Sequence, residues 1–476
     1  MSIGRALAWH ADQEPDRPSV TDDVRTLTRR ELDQQSNRLA HAYADRGVQR
    51  DDLVTVGLPN GVDYFVACAA IWKLGATPQP VSARLPPAEL AAVVELADPA
   101  LLVGINLPGR PSVPAGFDAS GYDDGPLPDV IASSWKAPTS GGSTGRPKVI
   151  LSGTAGEVDP TVAAVPYIPR DGIQLVPGPL YHNGPFIYSM RGLLSGQSLV
   201  VMDRFDAEQV LALVDRHRVT WMLLVPTMMQ RIWRLPDAVR ASYDVSSLEM
   251  VLHLGAPCPA WLKRAWIEWL GPDRVVEVYA GTESQGVTVI GGREWLERPG
   301  SVGRPALGSR FRVLDERGDD VPVGQVGEVF MMPAGGTGST YRYRGAEPRS
   351  IHGWESLGDL GRLDADGFLY LADRSADLIL SGGANVYPAE VEGVLDAHPA
   401  VRSSAVLGLP DDDLGERVHA VVDVADADVD EAELLAWVGE RLVRYKVPRS
   451  LELVREPLRD DAGKVRRSAL RAARLT

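Results

Sequence analysis

The chain has 476 residues, 44% hydrophobic, 24% charged and 7% aromatic, the composition of an ordinary water-soluble globular protein. A single hydrophobic core stops growing near about 250 to 300 residues, so one large and one smaller unit are expected, which argues against a one-domain binding module. The net charge of −15 opposes non-specific attraction to phosphate backbones or anionic lipid, which argues against nucleic acid or membrane as a partner.

Along the chain, Thr28 and Glu31 have the spacing of a capping box, followed by apolar Leu32, Leu39 and Tyr43, which predicts a helix. A strand is expected from Asp52, helices over 62–74 and 86–96, and a strand from Ala100. The most apolar stretch, 61–76, contains Asp63 and Lys73 and falls short of a spanning helix. Strand and helix alternate again over 206–226 and 248–280, so two mostly parallel sheets, each covered by helices, are expected in one large body. Beyond about Asp373 the pattern changes to short strands with amphipathic helices over 387–398 and 430–443, a compact α+β unit. Cys68 and Cys258 cannot staple a chain of this size and are expected to be buried thiols in a reducing cytoplasm.

Residues 139–148, TSGGSTGRPK, place three glycines, two threonines and two serines in ten positions before Arg-Pro-Lys. Small residues let backbone amides approach an anion, and hydroxyls and cations complete a polyphosphate cradle. The loop is not a Walker A motif, because Arg146 and Pro147 stand where Gly-Lys-Ser/Thr is needed. Gly141 to Gly145 also fit the G-x-S-x-G elbow of a serine hydrolase with Ser143 as nucleophile, but the preceding ASSWKAPT lacks the strand an elbow requires. Only six lysines occur, Lys136 and Lys148 among them, so each is informative by its rarity. Tyr279 to Glu283, YAGTE, follows a strand-like run, and a carboxylate there could hold Mg²⁺ while Thr282 reaches a phosphoryl oxygen.

Taken in order, TSGGSTGRPK, PLYHNGP at 179–185, LGAPCP at 254–259, YAGTE, LGDLGRLDADGFLYLADR at 357–374, SGGANVYPAEVE at 381–392 and AGKVRR at 462–467 resemble the acyl-adenylate-forming superfamily of acyl-CoA synthetases, adenylation domains and luciferases. The chain looks closest to CoA ligases for bulky cyclic acids. The resemblance implies an α/β fold with a large N-terminal domain, residues 1–373, holding two helix-covered sheets plus a distorted β-barrel. It also implies a hinge at 374–377 and a small mobile α+β domain at 378–476. Thr139, Ser140, Gly141, Gly142, Ser143, Thr144, Gly145 and Lys148 would hold the ATP β- and γ-phosphates, Thr282 the α-phosphate and Glu283 the Mg²⁺. Tyr279 would stack on adenine beside Gly255 and Ala256, and Asp359 and Arg374 would grip the ribose. Lys464 would bridge the substrate carboxylate and α-phosphate, His182 would sit at the acyl pocket near the thiol entrance, and Gly382 and Gly383 would line the pantetheine tunnel of coenzyme A.

The activity implied is an ATP-, Mg²⁺- and CoA-dependent ligation of a bulky hydrophobic carboxylic acid, polycyclic, terpenoid or steroid-like bodies included, by domain alternation. Phe186, Ile187, Met190, Trp221, Met228 and Met229 are the expected pocket walls. Three positions depart from the family pattern: Ala376 at the pivot, Ala280 for a common Gly, and Leu357 for a hydroxyl residue. They keep open a half-enzyme that mainly thioesterifies a preformed adenylate, and a homodimer stands as the alternative to a monomer.

Overall fold

The computed structural model describes every residue except 142–146, 166, 426–428, 461–462 and 476, and at 140–141 the backbone alone. The capping box forms as read: the Thr28 hydroxyl accepts from the Glu31 N–H, the Glu31 carboxylate accepts from the Thr28 N–H, and helix Arg29–Ala44 follows. Helix Val62–Lys73 is apolar nearly all round because nearly all of it is buried, and its one basic side chain, Lys73, is met by Asp33 at 2.6 Å.

Two helix-covered sheets form. In the smaller, strands Thr77–Pro80, Leu53–Val56, Leu101–Val103 and Ser112–Val113 run parallel. The larger has nine strands, with a parallel centre of Val275–Ala280, Met250–His253, Trp221–Leu224, Ile173–Val176, Ser198–Val201 and Pro18–Thr21, and antiparallel edges. Its central strands are buried on both faces, which is why they read as unbroken Val, Leu and Met runs. The core is aromatic where helix Asn183–Leu194 packs: Phe186 is fully buried with Trp72, Trp135 and Tyr64 at centroid distances of 6.3, 6.1 and 6.4 Å. Truncating Phe186 to Ala there costs about 3–5 kcal/mol.

The antiparallel strands expected to form the barrel make a five-stranded sheet, Arg310–Leu314, Gly327–Met332, Trp354–Leu363, Arg349–Ile351 and Leu369–Arg374, and a three-stranded one, Tyr341–Arg344, Pro147–Ser152 and Thr139–Gly141. After Arg374 the chain makes a short 3-10 turn, Ser375–Asp377, and enters a last sheet built on the long hairpin Val401–Asp411 and Gly415–Val424, with its own core against helices Pro388–Leu395 and Glu431–Gly439. Cys68 is fully buried, whereas Cys258 is only partly buried. Among the described residues no helix is long and apolar enough to cross a membrane.

Candidate active site

The carboxyl ends of parallel strands Met250–His253 and Val275–Ala280 open into the segments that carry Gly255 and Glu283, the position where open α/β sheets bind ligands. After Ala280 the chain turns sharply. The Ser284 N–H donates to the Gly281 carbonyl at 3.1 Å, and Ser284 holds φ 56°, a left-handed conformation unusual for a residue with a side chain. A Cβ at Gly281 would lie 2.4 Å from the end of the Leu357 side chain and 3.1 Å from the Glu283 carboxylate, so any side chain there would have to displace Leu357. Leu357, which departs from the family pattern, therefore packs beside the turn, and Ala280 is exposed.

Glu283 is 4% exposed, and its Oε1 accepts from Lys148 Nζ at 2.8 Å and from the Tyr343 hydroxyl at 2.6 Å. Lys148 also donates to the Tyr343 oxygen at 2.9 Å and sits 4.2 Å from its ring centre. Antiparallel pairing of Tyr341–Arg344 with Pro147–Ser152 delivers both partners to the carboxylate. Burial alone would raise the Glu283 pKa, but Lys148 and Tyr343 outweigh it, so the group is held below the ordinary carboxylate range and ionised.

Asp359 and Arg374 are cross-strand partners, Arg374 Nε standing 3.3 Å from Asp359 Oδ1, and the Tyr279 hydroxyl donates to Asp359 Oδ2 at 2.6 Å. Tyr279 is thus anchored through its hydroxyl with its ring tilted against Phe311. Gly255 takes φ 89° in the loop after His253, and Ala256 beside it is partly buried.

Lys464 reaches the same place from the last sheet. Its N–H donates to Asp460 Oδ1 at 2.9 Å, and Gly463, at φ 75°, lies so close to helix Pro226–Trp233 that a Cβ would be 2.5 Å from Thr227 Oγ1. Gln230 and Arg234 donate to the Asp396 main-chain oxygen at 3.3 and 3.0 Å, and Arg466 faces Glu89 at 3.8 Å. Surrounding protein and the Arg374 guanidinium lower the Lys464 pKa below an ordinary lysine's, with Asp460 and Glu283 opposing, although part of the side chain stays wetted.

Thr139, Ser140 and Gly141 form a short strand paired in register with Val149, Lys148 and Pro147, and the Thr139 hydroxyl accepts from Gln79 at 3.1 Å. Gly142, Ser143, Thr144 and Gly145 lie outside the described residues. As expected, 132–138 form no strand leading into the motif; the strand Thr139–Gly141 already contains its first glycine, and an antiparallel strand follows the loop where a nucleophile elbow needs a helix. His182 caps helix Asn183–Leu194 with its ring 4.4 Å from Tyr181. Lys148, Thr282, Glu283, Tyr279, Asp359, Arg374 and Lys464 are thus brought together. Gly382 and Gly383 are not: they form an exposed hairpin tip beside Leu414. The six expected acyl walls are all buried, Phe186, Met190, Trp221 and Met229 completely and Ile187 and Met228 nearly so, Trp221 through stacking on Tyr188 and an indole bond to the Tyr167 carbonyl. Sequence reasoning missed Tyr343, which carries no local signal, and Lys136, whose rarity was one; its ammonium donates to Asn183 Oδ1 at 2.9 Å and lies 3.5 Å from the Thr282 carbonyl.

The donor set suits Mg²⁺. An ammonium already balances the buried Glu283 carboxylate, and among the described residues there is no cluster of three or more acidic, His or Cys side chains, so the remaining ligands would be phosphate oxygens and water.

The AMP-binding enzyme family model matches residues 7–128 and 137–339, and its C-terminal domain model matches 390–464. The chain is 33% identical to a feruloyl-CoA synthase of Amycolatopsis sp, covering 98% of each chain, and 29% identical to a 2-succinylbenzoate–CoA ligase of Bacillus licheniformis, again covering 98% of each. The o-succinylbenzoate CoA synthetase of Bacillus subtilis, solved with its acyl-adenylate intermediate, superimposes with a TM-score of 0.82 at 25% identity over 98% of this chain and 97% of that one. With ATP, Mg²⁺ and CoA as its reactants and cofactor, the chain belongs to the AMP-binding enzyme family and is an ATP-dependent carboxylate–CoA ligase that works through an acyl-adenylate.

Proposed function

We propose that the acid is ring-bearing and lies along helix Asn183–Leu194, and that the two half-reactions alternate by rotation of residues 378–476 about 374–377 against residues 1–373. The observation that carries this reading is the convergence of Lys148, Glu283, Asp359 and Lys464 on one cleft from four separate segments.

A carboxylate is a weak nucleophile and hydroxide a poor leaving group. In the first half-reaction a carboxylate oxygen attacks the α-phosphorus, the bond to pyrophosphate breaks, and an acyl-adenylate forms. Two anions must approach, and Lys464 between them cancels repulsion where charge develops. Thr282 faces the α-phosphate, Lys148 and the 139–145 loop hold the pyrophosphate portion, and Asp359 with Arg374 holds the ribose, Tyr279 fixing Asp359 and the adenine. Glu283 would hold Mg²⁺ when it is bound, and the ion would supply positive charge against the leaving pyrophosphate. In the second half-reaction the CoA sulfur attacks the acyl carbon, the bond to AMP breaks, and the thioester forms. Gly382 and Gly383 reach the pantetheine path only after rotation, and His182 stands near the thiol entrance. Ala376 leaves the backbone of the turn free to rotate, because a pivot needs permissive angles and not a particular charge.

The feruloyl and 2-succinylbenzoate names of two relatives support a ring-bearing acid. The burial of Phe186, Met190, Trp221 and Met229 argues against a polycyclic body. The position of Lys464 close to Glu283 supports a complete two-step ligase over a half-enzyme. The test is a panel of ring-bearing, polycyclic and straight-chain acids with ATP and CoA, following pyrophosphate and acyl-CoA separately by mass spectrometry. Equal release of both from a ring-bearing acid is expected. Acyl-CoA formed only from supplied acyl-AMP would select the half-enzyme, and turnover of fatty acids alone would refute the ring-bearing substrate.

A further inference from the structure

Two cations beside this site have no anion of their own. Lys136 is 4% exposed, and its ammonium faces only neutral acceptors, Asn183 Oδ1 and the Thr282 carbonyl. Arg191 is partly buried on the same helix as Asn183, and among the described residues its guanidinium has no hydrogen-bond or ion-pair partner. Positions 183, 187 and 191 recur every four residues and share one helix face. Trp135 joins the two cations, Lys136 Nζ lying 5.8 Å and Arg191 Cζ 5.5 Å from its ring centre. The acid nearest Lys136, Glu283, is committed to Lys148 and Tyr343.

Burying a charge is unfavourable unless it is paired, and a guanidinium cannot escape by losing its proton. The chain has 64 acidic residues against 49 basic ones, yet among the described residues none forms an ion pair with Lys136 or Arg191. Burial and the neighbouring Arg191 charge pull the Lys136 pKa down to about 7, with Glu283 opposing, as expected of a cation short of a counter-ion. The reacting carboxylate is assigned to Lys464 in the reading above and so does not fill this need.

We propose that Arg191 and Lys136, beside Trp135, form a second anion site that receives a further carboxylate on the acyl substrate, so that the acid activated is a ring-bearing dicarboxylate. The proposal rests on the ring-bearing reading above and narrows it. Arg191 makes the charge-assisted, two-pronged contact that a carboxylate matches, Lys136 faces it, and Asn183 holds the Lys136 ammonium in place.

The test uses benzoic acids carrying, on spacers of zero, one or two carbons, either a second carboxylate or the corresponding primary amide, with kcat/KM read from pyrophosphate release in the presence of ATP and CoA. Wild type is expected to prefer the best dicarboxylate over its amide by about 10- to 100-fold. Arg191→Met should collapse that ratio, mainly through KM, and Arg191→Lys should restore part of it, which a purely structural role would not do. Lys136→Met, checked for folding by thermal unfolding, should lower the ratio in the same direction. A wild-type ratio near one for every spacer, or a ratio kept within about threefold by Arg191→Met, overturns the second anion site while leaving the ring-bearing reading intact. Turnover of straight-chain acids with none of the ring acids overturns both.

Discussion

Replacing Gly463 by Ala should separate the two half-reactions. The new Cβ would stand 2.5 Å from Thr227 Oγ1 and 3.1 Å from Thr227 Cγ2, so rotating the threonine merely exchanges one clash for another. Gly463 also holds φ 75°, where an L-residue loses about 1–2 kcal/mol. Overpacking against the helix adds about 1–3 kcal/mol. A combined penalty of about 3 kcal/mol on the pose that holds Lys464 in the site reduces its occupancy by about 150-fold relative to the rotated pose. Adenylation, read as pyrophosphate release, should fall by about two orders of magnitude, while thioesterification of supplied acyl-AMP, which uses the other pose, should persist. In a Thr227→Ala/Gly463→Ala double variant the Thr227 Cβ at 3.4 Å is an ordinary contact, so the steric half of the loss should return and the backbone half should not. Equal loss of both half-reactions, or an unaltered rate of adenylation, would refute the reasoning.

Lys464→Ala should reduce adenylation by about 10²- to 10³-fold and leave the CoA step largely intact, since the lysine acts on charge developed in the first transition state; rapid-quench measurement of each step checks this. Tyr279→Phe removes the hydroxyl that holds Asp359 at 2.6 Å, and the KM for ATP should rise about 5- to 30-fold with kcat changed less. Asp396 is pushed up to about 6 by burial, with Arg459 and Ser404 opposing and Glu392 assisting. The folded state therefore binds its proton more tightly than the unfolded chain, and stability falls as pH rises from the ordinary value of 3.8 through about 6. Asp396→Asn should consequently gain stability relative to wild type between pH 4 and 7, by about 1–2 kcal/mol in denaturant unfolding; a difference that does not change with pH would contradict the assignment.

Periodicity and capping made the helices and parallel strands legible, because burial on both faces writes continuous apolar runs and a cap needs only two residues at fixed spacing. Thr28 with Glu31 and the run Trp221–Leu224 are examples. The Glu283 turn was legible for the same reason, since its residues are contiguous, whereas 142–146 of the expected phosphate loop lie outside the described residues. Tyr343 was not, since it reaches Lys148 from 195 positions away through strand pairing that no local pattern encodes. The expected acyl walls failed on a related point. Apolar residues near the right motif have no mark that distinguishes a pocket lining from core, and Phe186 and Trp221 proved to be core. The meaning of Lys136 likewise depended on seeing that among the described residues no acid is paired with it.

The seam between helix Pro226–Trp233 and the last sheet is fastened mostly to a backbone oxygen: Gln230 and Arg234 both donate to the Asp396 carbonyl, and the Arg466–Glu89 pair beyond them is loose at 3.8 Å. When these contacts part, each donor and the oxygen can be taken up by water, and Asp396 keeps the Arg459 charge and the Ser404 hydroxyl of its own unit. Opening and reclosing then demand little reorganisation, so the tail unit behaves as a latch, and the pace of turnover need not be set by prising the two bodies apart.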